Sequence, residues 1–456
     1  MTEKKYLNWF NKIGYGSGDI AGNVIFTFLS TFMMFYLTDT VGMNVGIVGT
    51  LMAVSKLFDG VTDLFFGSLI DKTRSKMGKA RPWMIYGFIG CAVCLAAIFF
   101  IPESWGENAQ YAYFFVVYTM LNAVFYTANN IAYSSLTALI TKNSAERVQL
   151  GSIRFMFAFG TATVIQAVTL DVVKALGGGA QGWKMVAIGY AIIGLISNTI
   201  SGLSVKELSE EEQEACVDNS SDEKYTMIEG AKLLFSNKYY VMICGVYLLV
   251  QLCIATLNMG VYYMKYILGN ENLMGTFSLA VNIPVIFGLI MTPWLVSKMG
   301  GMYKLNILGY CLAATGRILV LIAGYMGNVP MMLVFSGIAA LGISPLSGDL
   351  SALVASCSEY TYLTKGKKID GTMYSCSSFG TKVGAGLGAA ICGWLLAAAG
   401  FAENAAVQSA SAMNMMQFLY LWAPIILYGL MALLLTRLNV EKANKEILAV
   451  KAETVS

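Results

Sequence analysis

Two acidic residues lie one helical turn apart inside an apolar segment that runs from Thr50 to Gly67. Asp59 and Asp63 are four residues apart, so on a helix they share one face with about 5–6 Å between their Cβ atoms. An ionised carboxylate at the centre of a membrane helix costs about 2.5–3.5 kcal/mol on the insertion scale, and two ionised neighbours also repel each other. A bound cation, or a proton shared by the pair, removes that cost. The pair is therefore a candidate site for Na⁺ or H⁺, and ion pairing with Lys56 or Lys382 is the structural alternative.

The composition indicates a polytopic α-helical membrane protein. Of 456 residues, 57% are hydrophobic and 12% are charged, and apolar stretches of about 20 residues recur along the chain. The net charge of +3 is small and the basic residues lie in short loops, which indicates membrane topology and no nucleic-acid surface. The chain has no histidine, and its nine cysteines are scattered, mostly in apolar spans. We therefore expect no cofactor and no enzymatic activity, because neither a metal cluster nor a nucleophile with a base is visible.

Hydropathy predicts twelve helices, and the charges of the connections fix their orientation. Basic residues precede the first helix and fill the even-numbered connections, whereas the odd-numbered ones carry few. This alternation places both termini in the cytoplasm. The predicted helices span 13–39, 44–70, 82–102, 110–140, 148–176, 183–205, 239–267, 273–298, 303–325, 330–358, 370–400 and 411–437.

A long acidic connection at 206–238 divides six helices from six and is typical of a solvated linker. The tetrapeptide Ser75-Lys76-Met77-Gly78 after helix 2 recurs as Ser297-Lys298-Met299-Gly300 after helix 8. Two parallel six-helix repeats are the layout of major facilitator transporters. We therefore predict an N-terminal bundle at 1–205, a cytoplasmic central loop at 206–238, a C-terminal bundle at 239–437 and a cytoplasmic tail at 438–456.

Several stretches then resemble, in order, the motifs of the glycoside-pentoside-hexuronide:cation symporters, the group that includes melibiose permease. The most specific is the helix 2 block with its loop, and the resemblance runs from Gly14 to Arg437. The matching stretches are Gly14-Tyr-Gly-Ser-Gly-Asp19, Asp39-x-x-Gly42, Lys56-x-x-Asp59-x-x-x-Asp63-x-x-x-Gly67-x-x-x-Asp71-x-Thr73-Arg74-x-x-x-Gly78-x-x-Arg81-Pro82-Trp83, Asn130-Ile-Ala-Tyr133, Glu146-Arg147 with Arg154, and Gly371 through Lys382.

This resemblance implies a role for individual residues. The family's cation site matches Asp59 and Asp63, with Thr127 on helix 4 and Thr62 at a further position. Its sugar-binding residues match Asp19, Arg154 and Lys382. The helix 4 acid and tryptophan of the family are replaced here by Asn130 and Ser134, so galactoside specificity is not implied. The gating residues implied by the resemblance are Lys72, Arg74, Arg81 and Arg147.

The residues themselves leave alternatives open for the sugar site. Charged groups that face a water-filled cavity suit hydroxyl-rich substrates, but charge pairing that only fixes helix packing is a rival interpretation for Asp19, Arg154 and Lys382. Asn130 can donate and accept, and a helix-to-helix amide bond is its alternative. Tyr133 offers an apolar face to a pyranose ring or packs. Arg317 and Asp349, on helices 9 and 10, are predicted either to pair or to gate.

We therefore predict a monomeric secondary transporter of a bacterial cytoplasmic membrane. It moves a glycoside, glucuronide or pentoside inward with Na⁺ or H⁺ by alternating access, and Asp59 and Asp63 hold the Na⁺. Its expected partners are the sugar, the monovalent cation and the lipid bilayer. Two alternatives remain at this stage, a cation-coupled lysolipid transporter of the same superfamily and a sugar sensor without flux.

Overall fold

The computed structural model describes most of the chain, and every regular element in the described part is helical. The described residues are 5–102, 104–141, 143–208, 235–366, 370–403, 405 and 407–455.

The first half of the chain forms six long helices, two of which contain a π-helical turn. They are α1 (Trp9–Gly16 and Gly18–Tyr36, then a π turn at Leu37–Val41), α2 (Val45–Lys72), α3 (Arg81–Ile98), α4 (Glu107–Thr119, a π turn at Met120–Tyr126, and Thr127–Ile140), α5 (Ser144–Ala175) and α6 (Gly179–Ser204).

The second half forms six more, followed by a helix that the sequence did not predict. They are α7 (Lys238–Asn258 and Gly260–Tyr266), α8 (Leu273–Met299), α9 (Met302–Tyr325), α10 (Val329–Lys365), α11 (Asp370–Ala398), α12 (Ala410–Gln417, a π turn at Phe418–Trp422, and Ala423–Arg437) and α13 (Val440–Val455).

The twelve-helix prediction is confirmed. Within the described residues, eleven helical stretches are long and apolar enough to cross a membrane, and α2, with its charged residues, is the twelfth predicted helix. The predicted tail at 438–456 is largely the helix α13, and α10 continues seven residues past its predicted end. Both differences have one reason, since hydropathy reports where a helix is apolar and not where it stops.

Asparagine side chains start several of these helices. Asn44 accepts hydrogen bonds from the N–H groups of Gly46 and Ile47, and Asn143 accepts one from the N–H of Glu146. Such caps satisfy backbone donors that have no partner within the helix. Asn237 and Asn328 cap α7 and α10 in the same way.

Contacts between Cα atoms divide the chain into two units. The first comprises Met1–Asp218, Met264–Gly275 and Ala389–Met413, and the second comprises Asn219–Tyr263, Thr276–Gly388 and Asn414–Ser456. Stacked aromatic rings pack in the core of the first unit, where the ring centres of Phe28 and Phe99 lie 4.8 Å apart. In the second unit, Tyr310 on α9 meets Tyr428 on α12 edge to face at 5.7 Å. The predicted boundaries of the two bundles stay a prediction.

Candidate functional site

The first cluster of predicted site residues is centred on Asp19, near the start of the Gly18–Tyr36 segment of α1. Arg154 on α5 donates from Nε to Asp19 Oδ2 at 2.7 Å. The side chain of Asp19 is 15% exposed and that of Arg154 is 23% exposed, so the pair is largely buried but accessible. Asp19 and Arg154 therefore form an ion pair and remain partly exposed, and their predicted contact with a sugar stays a prediction.

Tyr133 on α4 holds this ion pair in place. Its hydroxyl lies 2.8 Å from Asp19 Oδ2 and 2.9 Å from the carbonyl oxygen of Tyr15, and the Arg154 guanidinium carbon lies 4.1 Å from the centre of its ring. Tyr15 in turn donates to the Tyr133 carbonyl at 2.6 Å. Tyr133 is only 4% exposed, so in this structure it positions the charged pair, and its predicted contact with a sugar ring stays a prediction.

Asp19 keeps one acceptor available. Both side-chain hydrogen bonds go to Oδ2, and Oδ1 accepts none from the residues in the described ranges. A carboxylate oxygen beside a guanidinium is a strong acceptor for a substrate hydroxyl. Asn130 lies on α4 one turn before Tyr133 and is exposed, so it shares that helix face. Lys382 is half-buried on α11 and belongs to the second unit.

The second cluster surrounds Asp59 on α2, which is 2% exposed. The hydroxyl of Thr127 on α4 donates to Asp59 Oδ1 and also lies 3.0 Å from the Asn122 carbonyl. Lys56 Nζ lies 3.4 Å from Asp59 Oδ2. The structure thus brings together the predicted cation ligands Asp59 and Thr127, and it also places the predicted alternative partner Lys56 on the same carboxylate.

The other two predicted cation ligands lie on the same helix. Asp63 is half-buried one turn after Asp59. The Thr62 hydroxyl donates to the Asp59 carbonyl oxygen at 3.1 Å, so here it satisfies the backbone.

Asn122 is a member of this cluster that the sequence did not reveal. Its Oδ1 accepts from Lys56 Nζ at 2.8 Å, and its Nδ2 donates to the Tyr118 carbonyl at 2.9 Å. It lies in the π turn of α4, which ends immediately before Thr127. π turns occur often at functional sites, but hydropathy gives no signal for them, because the extra residue changes hydrogen bonding and not apolar character.

The predicted gating residues are only partly described. Arg81 donates from Nε to the Gly202 carbonyl at 2.8 Å and so joins the start of α3 to the end of α6. Arg74 is exposed in the loop between α2 and α3. The side chains of Lys72 and Arg147 lie outside the described part of the structure.

Glu207, near the start of the predicted central loop, binds the start of α3. Its carboxylate accepts hydrogen bonds from the N–H groups of Lys79, Ala80 and Arg81 at 2.8, 2.9 and 3.0 Å. A carboxylate at a helix start satisfies free donors and interacts favourably with the helix dipole. In the sequence, Glu207 looks like one member of an acidic run. Its hydrogen-bond partners lie more than 120 residues earlier in the chain, so the sequence pattern does not reveal them.

Glu146, from the Glu146-Arg147 motif, holds the N-terminal segment in a similar way. It accepts from Thr141 at 2.6 Å and from the N–H groups of Leu7 and Tyr6 at 3.1 and 3.2 Å, and Lys12 Nζ lies 3.4 Å away. Burial opposes the charged form of this carboxyl, but these hydrogen bonds outweigh it and lower the pKa of Glu146 below its usual value.

Known sugar transporters are similar to this chain over most of its length. The family described as "MFS/sugar transport protein" matches residues 14–442. The isoprimeverose transporter of Lactiplantibacillus pentosus is 32% identical over 456 residues, covering 98% of this chain and 92% of that protein. The putative glycoside/cation symporter YagG of Escherichia coli K12 is 26% identical over 454 residues, covering 97% of this chain and 94% of that protein.

A solved structure shares the fold. The nucleoside transporter NupG, as its D323A mutant, superposes with a TM-score of 0.66 at 12% identity and covers 94% of this chain and 100% of that one.

Proposed function

The chain belongs to the MFS/sugar transport protein family, among its glycoside-pentoside-hexuronide:cation symporters, and from this premise we propose that it carries a neutral pentose-containing glycoside inward with Na⁺. It is a multi-pass membrane sugar transporter and not an enzyme. The proposal concerns the sugar, the coupling ion and action as a monomer.

A neutral sugar is supported by the charge of the Asp19 cluster. Arg154 would favour an anionic glucuronide if its charge were uncompensated, but Asp19 lies 2.7 Å from its Nε. The pair therefore brings no net charge to a ligand, while Asp19 Oδ1 and Asn130 supply hydrogen-bonding atoms for hydroxyls. The similarity over 98% of the chain to an isoprimeverose transporter supports a pentoside within this class.

The observation that carries the cation part of the proposal is the buried carboxylate of Asp59. It is 2% exposed, a threonine hydroxyl contacts one oxygen, and a lysine ammonium lies 3.4 Å from the other. A carboxylate so deeply buried requires a positive partner. In our proposal Lys56 is that partner in the absence of the ion, and Na⁺ takes its place with Asp59, Asp63, Thr62 and Thr127 as oxygen ligands.

Binding of the two ligands is coupled in this scheme. Na⁺ bridges the acids of α2 and holds α2 against Thr127 on α4, the helix that also carries Asn130 and Tyr133. The sugar then binds a helix whose position is already fixed. Whatever factor Na⁺ adds to sugar affinity, the sugar adds to Na⁺ affinity, because coupling free energy is reciprocal.

Uptake into proteoliposomes tests the sugar and the ion together. The panel is isoprimeverose, a neutral β-glucoside and a β-glucuronide, each under an inward Na⁺ gradient at fixed pH and under a pH gradient without Na⁺. We expect Na⁺-driven accumulation of the neutral pentoside. Accumulation driven only by the pH gradient would overturn the choice of ion, preference for the glucuronide would overturn the neutral sugar, and no uptake of any sugar would overturn the function.

A further inference from the structure

Another buried acid belongs to the second unit. Asp349 on α10 is 6% exposed, and Asn306 on α9 is 2% exposed. Asn306 Nδ2 lies 3.0 Å from Asp349 Oδ1 and 2.9 Å from Oδ2. The predicted partner Arg317 is elsewhere, since it donates to the Tyr420 carbonyl at 3.0 Å. The sequence left pairing of Arg317 with Asp349 open, and the structure excludes it.

Close helix packing explains why these two side chains meet. A Cβ placed on Gly309 would lie 2.5 Å from the Gly342 carbonyl oxygen, and one on Gly342 would lie 2.4 Å from the Gly309 carbonyl oxygen. Only glycine fits at either position, so the backbones of α9 and α10 touch there. Asn306 lies about one turn before Gly309 and Asp349 about two turns after Gly342, which brings them together beside the contact.

If Asp349 is ionised, this pair has more hydrogen-bond acceptors than donors to satisfy them. One amide nitrogen serves both carboxylate oxygens, while Asn306 Oδ1 is buried and has no hydrogen-bond partner in the described structure. A buried acceptor without a donor carries a desolvation penalty of about 1–3 kcal/mol.

The surrounding charges do not favour an ionised Asp349 either. Among the described residues, the titratable groups that act on it electrostatically are Glu441 at the start of α13 and Tyr310 on α9, and neither is positive at neutral pH. No lysine or arginine in the described ranges forms a salt bridge with it. Burying an isolated ionised carboxylate in a membrane span costs much free energy, and neutralising the group removes most of that cost.

We propose that Asp349 and Asn306 form a proton-binding site in the second unit, in which Asp349 carries a proton at neutral pH. A protonated carboxyl and a primary amide each present one donor beside one acceptor. A small rotation of the Asn306 amide then gives a cyclic pair, with Asp349 O–H donating to Asn306 Oδ1 and Asn306 Nδ2 donating to the other carboxyl oxygen. All four polar atoms are then satisfied. This site does not depend on the proposed Na⁺ site at Asp59.

A metal cation fits these atoms less well than a proton does. The group that faces the carboxylate is an N–H donor, whose hydrogens point to where a cation would sit. Hard metal cations such as Ca²⁺ and Mg²⁺ bind about six or more oxygen ligands, and the side-chain contacts of the pair supply only the carboxylate and one amide oxygen.

Loss of the proton from Asp349 would weaken the attachment of α13. Glu441 Oε2 accepts from the N–H groups of Met302 and Tyr303 at 2.9 and 3.1 Å, which fastens α13 to the start of α9. A charge on Asp349 repels Glu441, so deprotonation weakens that attachment. The site thus makes the docking of α13 sensitive to pH.

Infrared difference spectroscopy of the purified protein in nanodiscs tests the proposal, because protonated and ionised carboxyls absorb in separate regions. At pH 7 the spectrum of the wild type should contain one protonated-carboxyl C=O band that is missing from the spectrum of Asp349→Asn. The matched control is Glu359→Gln, which removes an exposed acid of the same helix and should leave the protonated-carboxyl region of the spectrum unchanged. Loss of carboxylate absorption in Asp349→Asn, or no change in the C=O region, would overturn the proposal.

A second variant covers the case in which Asp349→Asn does not fold. Asn306→Leu removes the amide partner, so the C=O band should shift as its hydrogen bonding weakens, and an unshifted band would also overturn the proposal. Adding Na⁺ at pH 7 should leave the wild-type band unchanged. Disappearance of the band on Na⁺ addition would replace the proton by a metal cation and contradict the assignment.

Discussion

The ammonium of Lys56 lies 3.4 Å from Asp59 Oδ2 and 2.8 Å from Asn122 Oδ1, so one lysine joins the buried acid of α2 to the π turn of α4. Lys56 and Asp59 are three residues apart and would neighbour each other on any helix. The amide that completes the site comes from 66 residues further along the chain. If Na⁺ binds at Asp59 as proposed, it has to compete with a cation that is already part of the protein.

Removing this competitor should strengthen Na⁺ binding. In Lys56→Gln, Asp59 has lost its internal counter-charge, and we expect the half-saturating Na⁺ concentration for sugar uptake to fall roughly tenfold, equivalent to about 1.4 kcal/mol. Initial uptake rates at increasing Na⁺ measure it. Lys56→Arg keeps the charge and is the control. An unchanged or higher half-saturating concentration in Lys56→Gln would contradict the competition.

Neutralising Asp59 should separate binding from coupling. Asp59→Asn keeps the side-chain shape and a contact for Thr127 but removes the charge that Na⁺ requires, so Na⁺-driven accumulation should be lost while exchange of labelled sugar across the membrane continues. Counterflow in proteoliposomes measures exchange without a gradient. Full concentrative uptake by this variant would remove Asp59 from the cation site.

The pair of Asp19 and Arg154 should act on sugar affinity as a unit. Arg154→Gln leaves Asp19 without its partner, and Asp19→Asn leaves Arg154 uncompensated, so each should weaken sugar binding by tenfold or more. Because each single change already breaks the same interaction, the double variant should lose much less than the product of the two. Sugar binding by isothermal titration measures all three. Independent, multiplicative losses would indicate that the two residues act separately.

The two single variants should also differ in charge preference. Asp19→Asn leaves a net positive site, and we expect its discrimination between the neutral pentoside and a glucuronide to shift towards the glucuronide. Arg154→Gln leaves a net negative site and should shift the other way. Competition of each unlabelled sugar against the labelled substrate measures this. A shift in the same direction for both variants would contradict the electrostatic argument.

Glu146 predicts how stability depends on acid. Its hydrogen bonds lower its pKa below the usual value, so the folded state binds this proton less readily than the unfolded state does. Its contribution is fully present above the unfolded pKa of about 4.3, and it is lost as the pH falls through the lower pKa of the folded state. Thermal unfolding from pH 7 down to pH 3 should therefore show an acid-dependent loss of stability that is smaller in Glu146→Gln. Equal acid dependence in the two proteins would contradict the role of Glu146.

The sequence by itself determined the helices and the acids of α2. Hydropathy is a local property, because a stretch of about 20 apolar residues has to pair its backbone groups internally wherever it lies in a membrane. The prediction that Asp59 and Asp63 share one helix face is local as well, because it depends only on their spacing along a single helix. The sequence did not predict the π turn before Thr127 or the helix α13.

Only the tertiary structure decided what each polar residue contacts. Tyr133 proved to hold Asp19 and Arg154 together, Asn122 joined the Asp59 cluster, and Asp349 paired with Asn306 instead of Arg317. Each contact joins residues that are at least 40 positions apart or lie on different helices. Which faces of two helices meet depends on side-chain packing along their whole lengths, as at Gly309 and Gly342, and this information is spread over both helices and absent from any single segment.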